Sequence, residues 1–408
     1  MLGFVRFLTS AELRDTVRFD PKAFQRTRKL PFPSLIVFLL SGLKASVQNE
    51  LNAFFAHLEN QADLLRGASA QAFSQARQRF SARAFALLND RLLSLVETHL
   101  PVARWHGLRV VAADASKLTL FLKDVTGRKV REAIAFALYL PGLEMALAFQ
   151  LYSPCCNERQ MLFEHLQRLR PTDLLVLDRG YPSRWLIAVL IARGIPFCIR
   201  ADDTGFACVK TFRRSGLTET LVTIGAPCAQ DAADYLCPRT PHTVRLILLV
   251  TPNGKRHVVM TSLLDTQAYP AAAFAALYHS RWRIEEAFKR LKHRLSLEHL
   301  SGLSWLAAQQ DFGAKLLCDN LNALAVATAS AANEEAVPDS YRLNRTYAFA
   351  HLKRCFPRWL LKHLPSLEEL LAAFTELAKN LVRFVQGASK PRPKRPKPHR
   401  HHAYKSTA

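Results

Sequence analysis

Three carboxylates in this chain stand where acidic side chains do chemistry rather than solvate a surface. They are Asp114 closing "LRVVAAD", Asp178 closing "DLLVLD", and Glu285 within "YHSRWRIEEAFKRLKHRLSL". The first two each end a short continuous apolar run, the pattern of a buried strand carrying a carboxylate at its C-terminal end. In open α/β sheets that end is where ligands bind. The third sits on a helix expected from Ala271 to Leu295, where Leu277, Ile284, Phe288, Leu291 and Leu295 share one face. Tyr278, Arg281, Glu285 and Lys292 make a narrow polar row beside that face, whereas Glu286 falls with Arg290 and His293 on the solvated side. Taken alone, such a helix reads as a surface element held by pairs such as Glu285–Lys289 and Glu286–Arg290. Three carboxylates converging from separate elements instead need a cation to offset their repulsion. Oxygen-only ligation suits Mg2+ or Mn2+, two ions of which can serve phosphodiester cleavage.

The elements that must hold these residues follow in a definite order. After the strand ending at Asp114 come "REAIAFALYL" and "MALAFQLYS", a strand pair around Pro141 and Gly142. Next are an amphipathic helix capped by Asn157, the strand ending at Asp178, a helix with Pro182 early and Gly194 closing it, and the strand "IPFCIR". This βαβ unit implies parallel pairing with a right-handed crossover. Three meandering strands followed by parallel ones fit a ribonuclease H-like mixed sheet, an α/β fold. A strand-rich insertion, from about 201 to 268, interrupts it and contains a hairpin around Asn253-Gly254. Helical regions flank this domain. Residues 1–100 read as a helical, DNA-binding region in which serines open "SAQAFSQARQRF" and "SARAFALLNDRLLSLVETHL" as N-caps. Arg77 and Arg79 are its DNA-contacting candidates. The catalytic domain is expected over 101–325 and a helical C-terminal region over 326–388, with a break near "NEEAVPDS". A disordered basic tail is expected over 389–408.

Charge narrows the partner. Lys and Arg number 56 against 33 Asp and Glu, a net +23 and a pI near 10.0. The last twenty residues hold seven of those cations and no acid, so +16 remains on residues 1–388. Such a surplus points to a polyanion, and nucleic acid above all. The eight cysteines show no CxxC pair or zinc spacing and read as reduced thiols of a cytoplasmic, nucleoid-associated protein. No signal peptide and no run of about 20 apolar residues suggests a membrane.

At this point the sequence resembles the DDE transposases of bacterial insertion sequences, in the insertion sequence four family. The resemblance rests on "ADAS" around Asp114, "LDRGYP" around Asp178, and Tyr278-x2-Arg281-x3-Glu285-x6-Lys292, the spacing of that family's Tyr-Arg-Glu-Lys signature. It covers roughly residues 30 to 325. It implies that Asp114, Asp178 and Glu285 are a metal-binding catalytic triad for Mg2+ or Mn2+. It also implies that Arg281 and Lys292 grip phosphates flanking the cut and that Tyr278 contacts the element end; Lys289 joins these as a DNA-contacting candidate. The partners implied are double-stranded DNA, as element ends and as target, and a second copy of the chain when assembled on DNA. Relatives stack a flipped base on an aromatic of the insertion; here the tryptophans lie outside 201–268, leaving Phe206, Phe212 and Tyr235 for that role. A ribonuclease H-like nuclease without strand transfer should lack the insertion and the Tyr-Arg-Lys row. A repressor derived from a transposase should have lost a triad carboxylate. Insertion, row and triad are all present.

Overall fold

In the computed structural model, which describes residues 1–383 other than 27, 124–126, 252–253, 334–337 and 339, contacts divide the chain into two compact units. One comprises Leu100–Lys117 and Ile134–Lys289; the other comprises Met1–His99, Leu118–Ala133 and the chain from Arg290 onward. The units therefore do not follow the expected boundary at 325, because residues from Arg290 group with the N-terminal helices. The expected tail at 389–408, Asn253 and most of "NEEAVPDS" lie outside the described residues.

The helical unit opens with α1 (Leu2–Leu8), α2 (Ala11–Val17), α3 (Phe32–Leu40), α4 (Val47–Leu58), α5 (Ala70–Arg77) and α6 (Arg83–His99). The chain leaves α3 and enters α4 through a short connection. Gly42, at φ +64°, lies in the left-handed region after α3, and the Ser46 hydroxyl caps α4 by accepting from Asn49 N. Ser69 caps α5 in the same way.

The other unit holds β1 (Arg109–Lys123), β2 (Lys129–Leu140), β3 (Met145–Tyr152), α7 (Glu158–His165), β4 (Asp173–Leu177), α8 (Arg184–Ala192) and β5 (Phe197–Ala201), the outer parts of β1 and β2 excepted. The insertion follows as α9 (Ala207–Ser215), β6 (Glu219–Ile224), α10 (Ala229–Asp234), β7 (His242–Val250) and β8 (Arg256–Thr261), and then come α11 (Ala273–Ser280) and α12 (Trp282–Arg294). The helical unit resumes with α13 (Trp305–Ala332), β9 (Tyr341–Leu343), α14 (Arg345–Leu361), α15 (Leu367–Ala378) and β10 (Leu381–Arg383). Among the described residues no helix is long and apolar enough to cross a membrane.

The large sheet runs β3-β2-β1-β4-β5-β8-β7-β6. β4 is parallel to β1 and β5, and β2 is antiparallel to β3, so its first five strands have the ribonuclease H-like order. The insertion is not a separate layer: β8 pairs antiparallel with β5 and carries the sheet outward through β7 and β6.

Register is set far from the carboxylates. Arg109 lies opposite Asp173 at the start of the β1–β4 ladder, and their buried side chains form a two-point pair at 2.7 and 2.8 Å. Asp173 also accepts from Arg170 N. A slip of one residue would break this pair inside the core, so the register is strongly specified. The paired residues end at Ala112 and Val176, which brings Asp114 and Asp178, each two positions further on, level with one another. Asp114 is not the end of its strand, as the sequence suggests. β1 continues to Lys123 with Leu118, Leu120 and Leu122 buried in alternation. Asp114 lies two residues beyond the part of β1 that pairs with β4.

Candidate active site

α11 is fixed by Phe274, Leu277 and Tyr278, which pack with Leu174, Val176, Cys198, Ile247 and Val259 of the sheet. The single helix expected from Ala271 to Leu295 is broken at Arg281. There Arg281 N donates to Tyr278 O and Ile284 N to Arg281 O, a three-residue spacing that tightens the chain. The apolar stripe is nevertheless as expected: Leu277, Ile284 and Phe288 are buried, Glu285 is half-buried and Glu286 is exposed.

Two hydrogen bonds tie this helical pair to acidic groups. The Tyr278 hydroxyl donates to Asp178 Oδ1 at 3.1 Å, and Arg281 Nη2 donates to Glu285 Oε1 at 2.8 Å. Arg200 Nη1 stands 3.9 Å from Asp178 Oδ1. Burial pushes the half-buried Asp114 carboxyl up to about 7, with the charges of Glu285 and Glu158 adding to the rise and Arg281 and the Ala115 amide opposing it. Glu158 is also raised, by burial and then by Asp178. Burial alone would lower Arg281, yet Tyr278, Asp178 and Glu285 hold it above its ordinary value. Two buried polar groups here have no partner among the described residues, Arg281 Nε and the hydroxyl of Tyr181, which is 1% exposed. Burial, then Glu158, Asp114 and Asp178, drive the Tyr181 hydroxyl well above its ordinary range.

The donor chemistry suits a hard divalent cation. All the acidic groups offer oxygen, and Asp114, raised mainly by burial, also feels the charges of Glu285 and Glu158. Among the described residues no three His, Cys, Asp or Glu side chains stand close enough to hold a metal as they are. Glu285 is engaged by Arg281 and Asp178 by Tyr278, so both side chains are held by protein partners.

The remaining candidates separate clearly. Lys289 is exposed; Lys292, two turns beyond Glu285 along α12, is half-buried and groups with the helical unit. Arg79 is exposed and lines a groove of about 1100 Å³ with Lys22, Arg26, Arg28, Lys29 and Arg66. Arg77 requires a correction. It is 3% exposed, and its guanidinium donates to Gln310, Ser301, Ala307 O and Asp311, so it is a packing residue and cannot reach DNA. Phe206 and Phe212 are buried, and Tyr235 is stacked on Trp185 at 3.6 Å between ring centres, so none of the three stands as an open base platform. Sequence reasoning missed Glu158, Tyr181 and Arg200. Tyr181 lies inside "LDRGYP", and Glu158 directly follows the capping Asn157.

The family described as transposase DDE domain matches residues 105–321, more than half of the chain. The transposase InsG for insertion sequence element IS4 of Escherichia coli (strain K12) is 24% identical over 298 residues, 68% of this chain and 65% of that protein's length. The cryo-EM structure of a piggyBac transposase synaptic complex with hairpin DNA aligns over 95% of this chain and 86% of that one, at 11% identity and a TM-score of 0.44. With its matched region spanning the ribonuclease H-like sheet and all three carboxylates, the chain belongs to the transposase DDE domain family.

Proposed function

We propose that this protein is a transposase that cleaves DNA at the ends of an insertion element and transfers the freed 3′-hydroxyl into target DNA. The observation that carries the reading is the β1–β4 register, which levels Asp114 with Asp178, together with the charge of Glu285 acting on Asp114. Asp114, Asp178 and Glu285 would hold Mg2+ or Mn2+, in two-ion fashion. Bound there, the cation supplies Lewis acidity at the scissile phosphodiester and makes the attacking hydroxyl more acidic. Arg281 has an Nε–H without a partner, a donor suited to a phosphate oxygen. Moving Arg281 and Tyr278 onto DNA would release Glu285 and Asp178 from the bonds that now hold them. Lys289 and Lys292 add phosphate contacts. So do the cations of the groove lined by Arg79, the best-supported DNA surface of the helical unit. The protein would act in the cytoplasm on nucleoid DNA, as a homodimer assembled on element ends.

The test is Mg2+-dependent nicking of a plasmid carrying the repeats that flank the gene. The full chain should nick at the repeats, and Asp178→Asn should abolish nicking while duplex binding persists. Nicking by Asp178→Asn at the wild-type rate would overturn the assignment, and absence of inverted repeats around the gene would weigh against a mobile element.

A further inference from the structure

Glu158 has no place in the reading above, yet the structure sets it beside the acidic site. It is the first residue of α7, directly after Asn157, whose side chain caps the helix by accepting from Arg159 N at 2.9 Å. Arg159 Nε donates to Gly180 O at 3.0 Å, which fastens this helix end to the loop leaving β4. The Glu158 carboxylate lies over that loop: a Cβ built on Gly180 would stand 3.5 Å from Glu158 Oε2. Gly180 is two residues past Asp178. Glu158 is exposed, and among the described residues no hydrogen bond or ion pair takes up its carboxylate.

We propose that Glu158 is a fourth carboxylate of this site, an oxygen ligand to a divalent cation on the side of Asp178. The proposal rests on the metal-centre reading above. A free carboxylate beside other carboxylates is repelled by them and by DNA phosphate alike, so a cation is the partner its position fits. A second observation points to the same spot. The Tyr181 hydroxyl is buried without a partner and feels Glu158, Asp114 and Asp178 together. A buried donor left unmade is costly, and a water carried by a cation at this spot would supply its acceptor.

The measurement is Mn2+ binding to the DNA-free full-length chain, followed by the loss of the free-ion electron paramagnetic resonance signal. Wild type and Glu286→Gln should bind alike. Asp178→Asn should lose binding, and Glu158→Gln should weaken it about tenfold, the usual scale for a displaced metal-site group. Metal-free thermal unfolding of Glu158→Gln should match or exceed wild type, since one repelling charge is gone. In nicking assays the same variant should need about tenfold more Mg2+ and recover at high Mg2+. Wild-type Mn2+ affinity in Glu158→Gln, with binding lost in Asp178→Asn, overturns the role of Glu158 and leaves the metal centre standing. Wild-type affinity in Asp178→Asn as well overturns the metal centre itself. A rate loss in Glu158→Gln that no Mg2+ concentration restores, at unchanged Mn2+ affinity, replaces the ligand role with a different one.

Discussion

Arg77 and Arg281 are each 3% exposed and each bonded to a carboxylate at 2.8 Å, yet they have opposite characters. Arg77 is surrounded: Gln310, Ser301 and Ala307 O share its donors with Asp311, and Asp311 in turn accepts from Ser301 N at 2.6 Å. Among the described residues the Arg281 side chain bonds Glu285 alone and its Nε has no partner, with the rings of Tyr278 and Trp282 at 5.6 Å. A buried ion pair in which all three guanidinium nitrogens are hydrogen-bonded is part of the packing. One with a donor open, beside an acid pushed up to about 7, has the character expected of a ligand site.

The largest stability effect should come from the satisfied arginine. Arg77→Met strands Asp311 in the interior and should cost about 3–5 kcal/mol in chemical unfolding, with or without metal. Arg281→Met removes an Nε that lacks a partner and frees Glu285, which is partly exposed and can turn to solvent, so it should cost far less while impairing cleavage. If Arg77→Met kept its stability but lost DNA affinity, the contrast between the two would collapse.

The next effect in size concerns Asp114 and has a definite sign. Its carboxyl is raised from 3.8 to about 7 by burial first and neighbouring charges second. Between those values the unfolded chain gives up a proton that the folded chain keeps, so metal-free stability falls as pH rises from about 4 through 7. Asp114→Asn should therefore be more stable than wild type above pH 7, by about 1–2 kcal/mol once partial exposure is allowed for. The difference should vanish below pH 4, and a pH-independent difference in unfolding would contradict the assigned environment.

A smaller effect belongs to the groove. Arg79→Gln should weaken binding to all duplexes alike, about threefold, and lower the slope of log affinity against log salt by about one. An unchanged slope would remove the groove from the DNA path.

Much of the site was legible because its residues sit at sequence-local signals. Asp114 and Asp178 each follow a short apolar run, and helical spacing of Leu277, Ile284 and Phe288 separates Glu285 from Glu286. What failed depended on distant partners. Arg77 resembles a solvated cation within α5, and only Ser301, Gln310 and Asp311, more than two hundred positions away, make it a core residue. Phe206 and Phe212 look available until the sheet that buries them is built. The break at Arg281 left no local mark, since neither Gly nor Pro lies there. By contrast the continuation of β1 was readable: "KLTLFLK" alternates apolar and polar residues, a half-buried strand overlooked beside the stronger signal of Asp114.

The most direct test compares Glu285→Gln with Glu286→Gln in nicking of an element-end duplex, with folding checked by thermal unfolding. The same chemical change is made one residue apart, once on the side chain held by Arg281 and once on the exposed face. Glu285→Gln should lose Mg2+-dependent nicking by on the order of 10³-fold with end binding nearly intact. Glu286→Gln should nick like wild type and shift stability by no more than about 0.5 kcal/mol. Equal activity in the two, or loss in the Glu286 variant alone, would contradict the central claim that Glu285 completes the catalytic carboxylates.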